Sequence, residues 1–183
     1  ARIDGVHSYS GIEHRDFIVT RQNVDTVYLD TNELAMIRAL DLPKALARDI
    51  KGPISADSFG ARLALLEQAR RLFLVGCYTG LRVSDFSRLN EVHIGRYISI
   101  KTAKTGTSVV IPIHPVVREI ISGGFDLSET LSTQKFNDQI KDLCRMAGIT
   151  EQITVNKNVG GKNVEVVLPK YKLISSHTAR RSF

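Results

Sequence analysis

Three short stretches of this sequence carry side chains suited to handling a phosphate. Arg82 stands in Thr79-Gly80-Leu81-Arg82-Val83-Ser84-Asp85. A guanidinium in the first turn of a helix offers a planar fork of donors, and the helix terminus adds positive potential. Asp85, three residues on, shares that face and can orient the guanidinium. Taken alone, the pair reads more readily as a surface salt bridge of little worth. Lys104 stands in Lys104-Thr105-Gly106, at a turn, where a flexible ammonium can donate a proton to a departing oxygen. Lys101 competes for that role, and lysines are common in turns. His177 and Arg180 in His177-Thr178-Ala179-Arg180-Arg181 are three apart at a helix start. The histidine can move a proton near neutral pH, and the arginine is a second bidentate donor. A solvated basic helix end fits these residues too. Arg181 points elsewhere on that helix and strengthens the positive patch.

Other chemistries lack their residues. The histidines (His7, His14, His93, His114, His177) are scattered, and neither an HExxH nor a CxxC pattern occurs, so no metal is expected. There is no GxxxxGK[ST] loop, so no nucleotide cofactor is expected either. Carboxylates do not cluster as two-metal nucleases require. A reaction on phosphate here must use fixed side-chain charge.

Composition sets the frame. The 183 residues suffice for one domain with a real core. Lys plus Arg number 25 against 19 Asp plus Glu, a net charge of +6, which suits a polyanionic partner. Cys77 and Cys144 lie in apolar helical patterns and read as buried free thiols, which suits a reducing cytoplasm. The longest apolar run, Leu72 to Tyr78, is too short to span a membrane.

The elements that must position these groups follow from local signals. Residues 1–27 show no period and read as a linker or the tail of an upstream domain. Asp30 caps a helix, with Glu33 completing a capping box. Leu34, Ile37 and Leu40 line one face, and Pro43 is expected to stop it. A long helix from about Asp57 to Tyr78-Thr79-Gly80 is apolar on more than one side and should be central. A short helix over 82–89 follows. Ile98 and Ile100 alternate with polar residues, turn at Lys104–Thr107, and return through Val109–Ile113 as a hairpin. Pro115 opens a helix that Gly123-Gly124 ends. Ser132 caps an amphipathic helix through Phe136, Ile140, Leu143 and Cys144, closed by Gly148. Ile153–Val155 and Val164–Leu168 flank Gly160-Gly161 as a second hairpin. Ser175 or Ser176 caps a last helix beginning at His177. The fold class is therefore α+β, mainly helical, with small antiparallel hairpins.

In this order and on these elements, the motifs resemble the tyrosine recombinase, or phage integrase, family, whose catalytic fold is shared with type IB topoisomerases. The matching residues are Thr79–Asp85 with Leu89, then Lys104-Thr105-Gly106 running into Val110-Ile111-Pro112, then His177-Thr178-Ala179-Arg180. Cys77–Arg82 and His177–Phe183 look most like integrases of bacterial conjugative and mobile elements. The resemblance covers residues 28–183 and implies a recombinase catalytic domain. It implies that Arg82 and Arg180 are the catalytic arginines, Lys104 the general acid, His177 the histidine of the HxxR motif and Asp85 a supporting acid. Lys101 and Arg181 would add DNA contacts. It implies double-stranded DNA as partner, a synaptic homo-tetramer of the full-length protein on that DNA, and transesterification through a 3′-phosphotyrosine without a cofactor. The family's nucleophilic tyrosine follows the HxxR motif. Tyr9, Tyr28, Tyr78, Tyr97 and Tyr171 all precede it, so these residues are expected to bind DNA but not cut it. A type IB topoisomerase and a non-catalytic DNA-binding module of the same fold remain the alternatives.

Overall fold

The computed structural model describes residues 27–90, 93–124, 131–159 and 162–183. The expected linker over 1–27 lies outside them except for Val27, as do Gly160 and Gly161. Seven helices and two hairpins make up the described residues: α1 (Thr31–Ala39), α2 (Leu42–Asp49), α3 (Ala56–Thr79), α4 (Val83–Phe86), β1 (Tyr97–Lys101), β2 (Ser108–Pro112), α5 (Pro115–Ser122), α6 (Thr133–Met146), β3 (Gln152–Val159), β4 (Lys162–Pro169) and α7 (Ser176–Arg181). A 3-10 turn, Lys170–Leu173, leads from β4 towards α7.

Helix α3 is the axis. Helices α1, α2, α4, α5, α6 and α7 all pack against it. Leu66, Ala69, Leu72, Phe73, Leu74, Val75 and Cys77 are buried from its middle onward, which is why the sequence shows apolar residues on several sides there. Phe86 of α4 meets Phe136 of α6 edge to face, with centroids 6.2 Å apart. Both cysteines are free and buried, as expected. No helix among the described residues is long and apolar enough to cross a membrane.

Helix starts follow their caps. Asp30 accepts the Glu33 N–H at 2.8 Å while Glu33 accepts the Asp30 N–H at 2.9 Å, the reciprocal box expected. Glu33 also pairs with Lys170 at 2.6 Å, fastening α1 to the 3-10 turn. Ser132 accepts the Lys135 N–H, and Pro115 sits in the first turn of α5, where His114 Nδ1 accepts the Val116 N–H. Pro43 does not end a helix in the way expected. Helix α1 stops at Ala39, and Pro43 lies in the first turn of α2, with Asp41 accepting the Lys44 N–H. Proline is tolerated there because the N–H it lacks has no partner in the helix.

Both hairpins are antiparallel and separate. In the first, Tyr97 faces Pro112 and Lys101 faces Ser108. Ile98, Ile100 and Ile111 turn inward while Ser99, Lys101 and Val110 face out. The second hairpin is longer than its apolar core suggests, pairing Gln152 with Pro169 through to Val159 with Lys162.

Candidate functional site

The chain turns sharply between α3 and α4. Gly80 adopts φ 64° and donates its N–H to the Gly76 carbonyl, a left-handed cap that glycine adopts without steric cost. Arg82 follows as the N-cap of α4, one position before the first turn expected. Its carbonyl accepts the Asp85 and Phe86 N–H groups at 2.8 and 2.9 Å, which fixes the backbone from which its side chain departs.

Helix α7 reaches the same place from the other end of the sequence. Ala179 is fully buried against α3, at Gly76. The Ser175 N–H donates to Thr178 Oγ1 at 3.0 Å, and the Ser176 N–H donates to Asn137 Oδ1 of α6 at 2.8 Å. At the far end Ser182 Oγ donates to the Thr178 carbonyl and accepts the Leu29 N–H at 2.8 Å. Helix α7 is thus held at both ends.

Arg82 and Arg180, nearly a hundred residues apart in sequence, line one cleft of about 590 Å³. Asp85 forms part of its wall. Thr102, Thr105 and Thr107 line it from the first hairpin's turn, and Phe183 lines it near Gly80. Neither guanidinium has a hydrogen bond or ion pair among the described residues. Two guanidinium forks with no carboxylate to satisfy them leave ten N–H donors for an anion, by the count of five per arginine. Such an arrangement favours a phosphate over a neutral ligand.

The other expected site residues take different places. Lys104 is exposed on the hairpin turn and is not among the cleft's lining residues, although Thr105 beside it is. His177 and Arg181 are exposed on α7 and also outside the lining. Lys101 is exposed at the end of β1. The site therefore gathers Arg82, Asp85 and Arg180 and leaves Lys104 and His177 outside its lining.

Asp85 does not orient Arg82 as expected. It is almost fully buried, at 1% exposure, and Oδ1 accepts the Ala103 N–H at 2.7 Å and Arg88 Nη2 at 3.3 Å. A short donor from another element outcompetes the helical neighbour at the buried carboxylate. Its second oxygen, Oδ2, has no partner among the described residues. Arg88, unremarked in the sequence, also donates to the Ser84 and Lys101 carbonyls at 2.9 and 3.0 Å. Its spacing of three from Asp85 was the available signal. The threonines form a second unread group: Thr102 Oγ1 lies 2.8 Å from Thr105 Oγ1, which lies 3.0 Å from Thr107 Oγ1.

No family model and no curated protein matches the sequence. Among solved structures, the chain is similar to lambda integrase bound to DNA, with a TM-score of 0.52 at 16% identity over 88% of this chain and 51% of that one. It is also similar to the lambda integrase catalytic core, with a TM-score of 0.48 at 15% identity over 85% of this chain and 79% of that one. The chain spans about half the length of the DNA-bound lambda integrase. At these identities the likeness is one of fold: the chain has the mainly helical α+β fold of lambda integrase, with the small antiparallel hairpins expected from its motifs.

Proposed function

We propose that this chain is the phosphate-binding part of a tyrosine recombinase catalytic domain, occupying residues 28–183 and serving site-specific DNA recombination or integration. The convergence of Arg82 and Arg180 on one cleft carries the proposal. In the reaction, a tyrosine attacks a DNA phosphodiester to give a 3′-phosphotyrosine and a free 5′ hydroxyl. The bond energy is kept in the protein–DNA ester. Negative charge spreads over the non-bridging oxygens in the transition state, and two fixed guanidiniums stabilise it. Loss of one such donor costs about 100- to 1,000-fold in rate. Lys104, on the hairpin turn, is assigned the proton for the 5′ oxygen, and His177 assists near Arg180. Lys101 and Arg181 add backbone contacts to DNA. Asp85 supports the site from beneath the turn.

The tyrosines of this chain all precede His177, and the role proposed for these residues is to hold the DNA phosphate. In the full-length protein, residues 1–27 lead from an upstream DNA-binding domain, and four copies assemble on DNA in the cytoplasm of a cell carrying a mobile element. The fold of lambda integrase, in a structure bound to DNA, supports the choice of partner.

The test is a titration of the chain against duplex DNA at low and high salt, with Arg82→Ala and Arg180→Ala beside it. Binding should be weak and salt-sensitive, and each substitution should shallow the salt dependence by about one unit of slope. Salt-insensitive binding, or arginine variants that bind as the parent does, would overturn the proposal. A non-catalytic DNA-binding module is the second reading, favoured by the position of Lys104 and His177 outside the cleft lining. Strand-exchange and supercoil-relaxation assays on a chain carrying the tyrosine separate recombinase, topoisomerase and binding module.

A further inference from the structure

Arg88 belongs to none of the motif positions above and does not line the cleft. Its guanidinium nevertheless bridges two elements. Nε donates to the Ser84 carbonyl of α4 at 2.9 Å, while Nη2 donates to the Lys101 carbonyl of β1 at 3.0 Å and to Asp85 Oδ1 at 3.3 Å. Asp85 completes the crossing by accepting the Ala103 N–H at 2.7 Å. The hairpin is therefore pinned to α4 at Lys101 and at Ala103, the residue immediately before Lys104.

The turn beyond that point is tied to itself. Thr102 N–H donates to the Thr107 carbonyl, Gly106 N–H donates to the Thr102 carbonyl, and the hydroxyls of Thr102, Thr105 and Thr107 are linked. A turn so cross-linked moves as a unit, so holding Lys101 and Ala103 holds the backbone of Lys104. Asp85 also needs Arg88 electrically. A buried carboxylate with one unpartnered oxygen is costly without a counter-charge, and Arg88 is the cation that pairs with it among the described residues.

We propose that Arg88 is a positioning residue that sets the Lys104 turn at a fixed offset from Arg82, so that its loss weakens phosphate binding through Lys104 rather than through any contact of its own with DNA. This rests on the functional proposal above, in which Lys104 and Arg82 serve the same phosphate.

The experiment is a double-mutant cycle on duplex-DNA affinity with Arg88→Gln, Lys104→Ala and the double variant. Amide hydrogen exchange at Ala103 is measured alongside, without DNA. Arg88→Gln should speed Ala103 exchange and weaken DNA binding by about three- to tenfold, the scale of one or two hydrogen bonds. The double variant should bind no worse than Lys104→Ala. Arg88→Lys keeps the charge without the fork and should behave like Arg88→Gln. Additive losses would mean that Arg88 meets DNA itself, and full rescue by lysine would mean that charge alone suffices; either overturns the proposal. Unchanged Ala103 exchange overturns it too, by removing the latch. Faster exchange with no effect of Lys104→Ala on affinity locates the failure in the functional proposal and leaves the latch standing.

Discussion

A methyl group added to Gly76 would lie 3.0 Å from the Cβ of Ala179. This near-contact is where α7 settles onto α3. It also lies 3.0 Å from the Phe86 ring of α4, so one missing side chain lets three helices meet. Arg180 follows Ala179 directly, and Arg82 lies six residues beyond Gly76. The distance between the two arginines therefore depends on a packing contact that contains no charge.

Gly76→Val should destabilise the fold by about 1–3 kcal/mol, the usual cost of overfilling a packed core. Chemical denaturation measures the loss directly. Because α7 must shift to make room, the proposed function predicts that DNA affinity falls as well, even where the variant remains folded. A valine tolerated with unchanged stability would mean that the α3–α7 contact is looser than the distances imply.

Gly80→Ala tests the turn. At φ 64° an alanine is strained, and its Cβ would come within 2.9 Å of the Phe183 ring. The ring is largely exposed and can swing aside, so the backbone dominates the cost, about 1 kcal/mol. Gly80→Asn should cost less, because asparagine enters the left-handed region more readily. A thermal melt of the two variants against the parent decides the order.

The Asp49–Arg145 pair gives the fold a dependence on acidity. Arg145 donates to both carboxylate oxygens, at 2.6 and 3.0 Å. Those hydrogen bonds, with the charges of Arg145, Arg62 and Lys51, hold Asp49 below its ordinary value of 3.8 against the opposing effect of burial. A lowered carboxyl value means that the stabilisation is present above 3.8 and fades as pH falls through the folded-state value. Arg145→Met should therefore lose about 1 kcal/mol at neutral pH, a figure kept small because Arg145 is one-third exposed. At a pH acid enough to protonate Asp49 in the folded protein, the parent and the variant should converge. Denaturation curves at the two pH values check the sign.

Cys77 and Cys144 should resist alkylation in the folded protein. Burial pushes both thiols up, Cys144 to about 12, with the Glu33 charge adding to the effect there and Lys170 opposing it. Little thiolate exists at pH 8, and neither sulfur is exposed. Iodoacetamide followed by mass spectrometry should find both unmodified until denaturant is added. Rapid modification of either in the native state would contradict the packing around α3.

The parts of the fold legible in sequence were those written locally. Asp30 and Ser132 cap their helices, Gly80 turns the chain, and the residues from Lys104 to Thr107 form a hairpin turn, each through contacts within a few positions. Helix α2 is hidden from a local reading because proline so often breaks helices, although Asp41 two residues earlier marks Pro43 as part of a first turn. The candidate site was legible as residue types but not as partnerships. Asp85 stands three residues from both Arg82 and Arg88, and nothing local chooses between them. The choice is made by the Ala103 N–H, eighteen residues away, which draws the carboxylate under the hairpin. Likewise the exposure of Lys104 and His177 depends on how the hairpin and α7 sit on the helices, and no pattern within either motif encodes that.

The 2.8 Å bond from Leu29 to Ser182 joins two points 153 residues apart. Ser182 closes the helix that carries Arg180, and Leu29 lies just ahead of the cap that starts α1. A pull on the backbone at Leu29 is thus transmitted to α7 without passing through α3. The backbone at Leu29 and the helix bearing Arg180 are therefore coupled directly, like a cord tied to the hinge of a clasp.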